Sequence, residues 1–518
     1  MAGNDTKGIG KVIFSSSLGT LIEWYDFYIF GMLAKTIAVQ FFPEGNETAA
    51  LLSTLAIFAA GFLVRPFGAL VFGRLGDMIG RKSTFLLTLV LMGGSTFLIG
   101  LVPGYRAIGI AAPLLVLLLR LIQGLALGGE YGGAATYVAE HAPTNRRGYY
   151  TSWIQTTATL GLFVALGVIM AVKSNMSDES FNAEWGGWRY PFWISILLVG
   201  VSIYIRLKMS ESPMYSKLKK EGKTSVNPLK ESFGHKGNFK MVLLALFGAV
   251  MGQGVIWYTG QFYAQSFLEN TVKIEFMQNR EILLWGIGLA TPFFLVFGAL
   301  SDKFGRKWIM LSGMLLGVVF YRPIFNTFLK DTDAKEWMAN AQNVEGAGSE
   351  FKLVKTDSSF NKDKQAITIA HKKRTLVYKG TSFSEIVADT SMVGSDGSSI
   401  IKNGKPVYLD KQLSSPLKWK FIGLVFVMIL FVTMAYAPIA AFLVELFPTK
   451  IRYTSMSLPY HIGNGVFGGL VPFIATLLST SFASDPLVGL WYPIGVAALC
   501  FVIGAFYLTN KIDKNIND

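Results

Sequence analysis

GRLGDMIGRK, residues 73–82, returns as GALSDKFGRK, residues 298–307. Each copy follows an apolar run, and each is followed downstream by a second paired signature, EHAPTNRRGYYTS (140–152) and ELFPTKIRYTS (445–455). Two loop signatures recurring in the same order imply two halves related as parallel repeats. Around them lie twelve apolar stretches, near 12–38, 49–72, 84–102, 112–139, 148–172 and 189–207, then 240–268, 281–300, 308–328, 420–446, 454–480 and 487–508. A spanning helix takes ~20 apolar residues. The expected fold is an all-α membrane protein of twelve transmembrane helices in two six-helix, pseudo-symmetric halves.

Composition agrees. Of 518 residues, 52% are hydrophobic and 15% charged, with a mean hydropathy of +0.43, whereas a soluble domain carries roughly a quarter charged residues. Many of the 54 glycines sit inside apolar runs, as in GGSTFLIG (93–100) and GNGVFGG (463–469), where small residues let helix backbones approach in lipid. The net charge of +14 is concentrated in alternate loops, at Arg74, Arg81, Lys82, Arg146, Arg147, Lys303, Arg306, Lys307, Lys450 and Arg452. This is an orientation signal rather than a nucleic-acid footprint, and it places both termini in the cytoplasm. The first apolar run is too long for a cleavable signal and reads as a retained span. The single cysteine, Cys500, leaves no disulfide and no thiol metal cluster, and neither a metal nor a cofactor is expected.

The repeat also locates an insertion. From Gly73 to Pro143 is 70 residues, and from Gly298 to Pro448 is 150. The surplus matches the polar stretch 329–419, outside the cytoplasm, whose runs QAITIAHKK, RTLVYKG and KPVYLD read either as a hairpin-rich cap or as a solvated loop. The expected organisation is an N-terminal half at 1–207, a basic linker at 208–239, three helices at 240–328, the insertion at 329–419, and three helices with a tail at 420–518.

The charges that interrupt the apolar runs are the chemical signal. Glu23 and Asp26 share one helix face in the first span, and membrane carboxylates are costly unless they face a cavity or a partner. With Glu130 they are the candidate proton-coupling groups; a structural ion pair with a buried Arg is the alternative. Arg120 and Gln123 on the fourth span, with Arg65 on the second, suit an anionic solute, because a guanidinium matches a carboxylate; neutralising those acids is the other use for them. In the seventh span Gln253, Trp257, Gln261 and Gln265 recur every four residues beside Tyr258, and Tyr25 and Asn464, with Tyr460 and His461, stand on comparable faces. Such stripes line a water-filled path or form a hydrogen-bonding seam. In the loops, Asp77, Arg81, Glu140, Arg147, Asp302, Arg306, Glu445 and Arg452 form a duplicated set read as an ionic gate latch, against ordinary solvated loop charges.

The double GRLGDMIGRK/GALSDKFGRK signature and RLIQG (120–124) resemble the major facilitator superfamily. Within it, IEWYDFYIFG, FLVRPFG, LALGGEYGGAATYVAEHAP, RRGYYTS and SMSLPYHIGNG resemble the metabolite:proton symporter family of α-ketoglutarate, citrate, shikimate and proline/betaine permeases. The resemblance implies the major facilitator fold, a bacterial inner-membrane symporter working by alternating access, Asp77 and Arg81 in the gate, and Arg120 facing the central cavity. The expected activity is import of a small carboxylate-bearing metabolite with a proton by a monomeric unit in the lipid bilayer. A zwitterionic osmolyte held by cation–π contact is the nearest rival, Na+ is the rival coupling ion, and a non-transporting receptor using the insertion is a third reading. No metal-ligand pair, nucleophile motif or nucleotide-binding loop points to an enzyme.

Overall fold

In lipid every backbone amide must be satisfied within the chain, which leaves helices as the way to span. A computed structural model of the chain describes residues 17, 20–21, 24–79, 81–128, 135, 138–139, 142–208, 228–340, 352–360, 366–393, 399–402, 404–447, 452–482 and 484–510. The helices are α1 (24–41), α2 (Glu47–Leu63 continued by Arg65–Ile79), α3 (Arg81–Ile99), α4 (Ala111–Gly128), α5 (Arg147–Ser174), α6 (Tyr190–Lys208), α7 (Lys236–Asn270), α8 (Phe276–Phe304), α9 (Arg306–Lys330), α10 (Ser415–Leu446), α11 (Thr454–Ser481) and α12 (Trp491–Tyr507). Among the described residues, nine helices are long and apolar enough to cross a membrane, and a shorter apolar one covers Leu86–Ile99. Each apolar stretch expected to span falls on one of the twelve.

Local sequence explains the interruptions. Asn46 caps α2 by accepting from the Ala49 amide at 2.9 Å, as expected of a short polar side chain at a helix start. Pro66 has no amide to donate, and α2 steps at Val64, one residue before Arg65. π-helical turns, which mark functional positions more often than ordinary ones, occur in α7 at Leu246–Val250 and Thr259–Tyr263 and in α11 at Ile462–Gly468.

Glycines set the helix contacts. A Cβ on Gly124 of α4 would lie 1.8 Å from the Gly61 carbonyl of α2, one on Gly128 would lie 2.1 Å from the Arg65 carbonyl, and one on Gly68 would lie 2.0 Å from the Leu125 carbonyl. α2 and α4 therefore touch backbone to backbone, and this brings Arg65 and Arg120 together.

The chain forms two compact units. One holds residues 1–264, 284–323 and 425–518; the other holds 265–283 and 324–424. The second contains the insertion, which is a sheet rather than a solvated loop. Strands β1 (Lys352–Phe360), β2 (Ala366–Tyr378), β3 (Thr381–Val393), β4 (Ser399–Lys402) and β5 (Val407–Gln412) are all antiparallel, in order β1-β2-β3, with β4 and β5 both pairing with β3. Lys379 and Gly380 turn β2 into β3 with φ of 46° and 77°, the two positive values of the hairpin turn whose twist suits the strands. A small core of Ala334, Trp337, Leu376 and Phe383 holds the unit together.

QAITIAHKK and RTLVYKG are one strand, not two runs. The charged residues at the centre of this strand are neutralised across the sheet, by Arg374–Glu385 at 2.6 Å and Lys372–Asp389 at 2.9 Å. The helical expectation thus holds for the spans, and of the two readings of the insertion the hairpin-rich one is what the structure shows.

Candidate functional site

Phe27 of α1 is the centre of the interior polar cluster. The Arg120 guanidinium carbon lies 4.2 Å from its ring centroid and that of Arg65 lies 4.4 Å from it. Arg65 also stacks on Phe62 at 4.1 Å, and Arg120 on Phe30 at 4.6 Å and Phe58 at 5.1 Å. Both side chains are buried, at 2% and 0% exposure, and no described carboxylate is within ion-pair distance of either. Cation–π contact offsets part of the desolvation cost but does not neutralise the charges.

Gln123 aims Arg120. Its Oε1 accepts from Arg120 Nη1, while its Nε2 donates to the Asp26 carbonyl at 3.0 Å and to Thr96 Oγ1 at 2.8 Å. The Gln123 amide is therefore engaged on both sides. The Tyr25 hydroxyl, likewise, donates to the Pro191 carbonyl at 2.8 Å. Asp26 is buried, and neither of its carboxylate oxygens has a hydrogen-bond partner among the described residues. A structural pair between Asp26 and a buried Arg is thus absent from the described residues; Glu23 and Glu130 lie outside them.

From the second half, α7 brings the Tyr258 ring edge-on to Phe62 at 4.9 Å and Phe262 to Tyr28 at 5.0 Å. Trp257 packs on Tyr436 at 4.7 Å, and the Tyr436 and Tyr460 hydroxyls share a hydrogen bond of 2.7 Å. The Arg65 guanidinium is within electrostatic range of the hydroxyls of Tyr28, Tyr258, Tyr436 and Tyr460. The polar stripe of α7 divides. Gln253 accepts from Asn464 of α11 at 3.0 Å, forming a seam, whereas neither amide atom of Gln261 has a partner among the described residues. Gln265 belongs to the other unit, where it donates to Glu269 at 2.6 Å.

The Glu269–Arg280 ion pair there, 2.8 Å long and buried, escaped the sequence reading, as did Phe27, Phe62 and Tyr436. Glu269 sits in SFLEN at the end of a span, where a charge reads as the edge of the membrane. The aromatic residues carry no mark separating them from ordinary core.

Residues of three of the loop signatures, 140–152, 298–307 and 445–455, meet within the first unit. The Asp302 carboxylate accepts from the Gly148 and Tyr149 amides at 2.8 and 2.9 Å, placing an anion on the open N-terminus of α5. Arg306 bonds Asp302 at 2.6 Å and Glu445 at 3.0 Å, and Arg147 reaches Glu445 at 3.4 Å. Under this network a Cβ on Gly148 would sit 2.6 Å from the Gly298 carbonyl, so α5 and α8 are in backbone contact. Arg452 instead donates to the Phe447 carbonyl at 3.0 Å. Glu140 and the side chains of Asp77 and Arg81 lie outside the described residues. The solvated-charge alternative fails for Arg147, Asp302, Arg306 and Glu445, which are 4–7% exposed in their ion pairs.

The chain is similar to several known proteins. The sugar (and other) transporter family matches residues 12–344. The inner membrane metabolite transport protein YhjE of Escherichia coli is 31% identical over 97% of this chain and 94% of its own. The α-ketoglutarate permease of the same organism is 36% identical over 63% of this chain and 73% of its own, and the proline/betaine transporter of Salmonella typhimurium is 34% identical over 62% and 65%. A structure of the E. coli xylose transporter XylE superposes with a TM-score of 0.61 at 15% identity, covering 98% of this chain and 99% of that one; it bears on the fold alone. The chain therefore belongs to the sugar (and other) transporter family, has the major facilitator fold, and is a multi-pass membrane transporter of metabolites rather than an enzyme.

Proposed function

We propose that the chain is a proton-coupled symporter that imports a small carboxylate-bearing metabolite by alternating access, as a monomeric unit in the inner membrane with both termini cytoplasmic. The observation that carries this reading is the pair of buried guanidiniums, Arg65 and Arg120, that no described carboxylate neutralises. A buried charge is stable only when paired, and a solute carboxylate supplies the missing partner. The π faces of Phe27, Phe30, Phe58 and Phe62 are already occupied by these two cations, which disfavours a quaternary ammonium there. Asp26, buried with no hydrogen-bond partner for its carboxylate among the described residues, is the group that takes the proton. The Asp302–Arg306–Glu445–Arg147 network is the inner gate in its closed state.

A zwitterionic osmolyte is the second reading, favoured by the tyrosine and tryptophan faces of Trp257, Tyr258 and Tyr436. Purified protein in liposomes separates the two. Inside-alkaline vesicles are expected to accumulate α-ketoglutarate above equilibrium, and Asp26→Asn is expected to lose that accumulation while retaining exchange across equal concentrations. Equal uptake with and without the pH gradient overturns the coupling, and dependence on a sodium gradient reassigns the ion. Uptake of glycine betaine alone overturns the anionic choice.

A further inference from the structure

His461 of α11 is a buried side chain packed on Tyr460. Its imidazole is 2% exposed, and neither ring nitrogen has a hydrogen-bond partner among the described residues. A neutral imidazole carries one N–H donor and one acceptor, and leaving a buried donor unpaired is costly. The ring is nonetheless held in place. It stands edge-on to Tyr460 at 5.3 Å and 85°, and the Tyr460 hydroxyl is locked to Tyr436.

The Arg65 guanidinium lies within electrostatic range of this ring, and its Nε likewise lacks a partner among the described residues. Directly after His461 the helix becomes π-helical over Ile462–Gly468. The glycines of that turn bring α11 onto α2: a Cβ on Gly465 would lie 2.8 Å from the Phe62 carbonyl, and one on Gly469 would lie 2.5 Å from the Phe62 ring. Phe62 is the ring on which Arg65 stacks. The helix that carries His461 is thus packed against Phe62, the ring on which the Arg65 guanidinium stacks.

We propose that His461 is a solute-contacting residue, donating its ring N–H to the same carboxylate that Arg65 pairs with. This deepens the carboxylate reading above and rests on it. An Arg gives charge and a His gives a directed neutral donor, so one carboxylate is held from both halves. That contact exists only while α2 and α11 are together, and solute arrival is therefore linked to closure of the two halves upon it.

Two probes that both bear a carboxylate, α-ketoglutarate and glycine betaine, test the assignment in detergent-purified full-length protein, by calorimetric affinity and by ligand-induced thermal shift. For whichever probe the wild type binds, His461→Leu is expected to raise Kd at least tenfold. His461→Gln, which restores an N–H, is expected to stay within about threefold of wild type. The ligand-free melting temperature of each variant separates lost contact from lost packing, since a purely structural histidine lowers it without a selective change in affinity. Unchanged affinity in His461→Leu overturns the proposal. So does equal loss in the Leu and Gln variants with both melting early. Wild-type binding of betaine alone overturns the anionic reading but leaves His461 testable on the betaine carboxylate, and binding of neither probe overturns both.

Discussion

At the scale of single residues, the interior charges differ in how far their neighbours commit them. Arg120 is held by Gln123, by the Phe58 carbonyl at 3.4 Å, and by three aromatic faces. Lysine keeps the charge but loses the planar fork and the stacking, so Arg120→Lys is expected to weaken solute binding at least tenfold while the protein still folds. Titration calorimetry on the monodisperse variant is the check; wild-type affinity would show that only the charge matters. RLIQG and FLVRPFG made both arginines visible in the sequence, because a cation inside an apolar run stands out. Phe27 was invisible by the same logic, since a phenylalanine among apolar residues carries no mark, and only the fold shows that it lies under both guanidiniums.

At the scale of helices and strands, close approach governs function. α5 and α8 meet at Gly148, Gly298 and Ser152, where a Cβ on Gly298 would come within 2.5 Å of Ser152 Oγ. Gly148→Ala is expected to force this contact apart and to cost the closed gate about 1–3 kcal/mol, the usual price of overpacking. Faster maleimide labelling of a cysteine placed at Ser152 in that background would report it, and an unchanged rate would refute it.

The insertion offers a second test at this scale. Lys411 of β5 is buried against Trp337 and donates to the Thr332 carbonyl at 2.6 Å. Its burial, aided by the charge of Lys273 and opposed by that of Asp333, pushes its pKa down to about 8. The protonated form is therefore disfavoured in the folded unit. Stability is expected to be lowest below pH 8, to rise as the pH climbs from 8 towards the ordinary lysine value of 10.5, and to level off above it. Melting temperatures across that range should show the slope in wild type and its absence in Lys411→Met; a slope of opposite sign would be inconsistent with a buried lysine.

At the scale of the whole molecule, the proposed gate is, among the described residues, one network of four side chains. Glu445 receives both Arg306 and Arg147, so removing its charge strands two buried cations at once. Breaking a buried pair costs about 3–5 kcal/mol, and Glu445→Gln is expected to shift the equilibrium towards the state open at this end by roughly two or more powers of ten. Double electron–electron resonance between spin labels on the loops at 140–152 and 298–307 would detect the longer distance; an unchanged distribution would show that the glycine contact alone holds the gate.

Hydrophobic length, the duplicated loops and the interrupting charges were enough to establish twelve helices, two halves and the arginines of the interior, because each of these is written in residue type and spacing along one chain. Partner choice was decided by the tertiary structure. That Asp302 caps α5 across 154 residues, that Gln123 turns inward to hold Arg120 while Gln261 stays bare, and that the insertion's charged strand is neutralised by its neighbour all depend on which backbones come into contact. The physical reason is that a charge or amide in a low-dielectric interior takes its meaning from the groups within a few ångströms of it, and sequence spacing does not encode those distances.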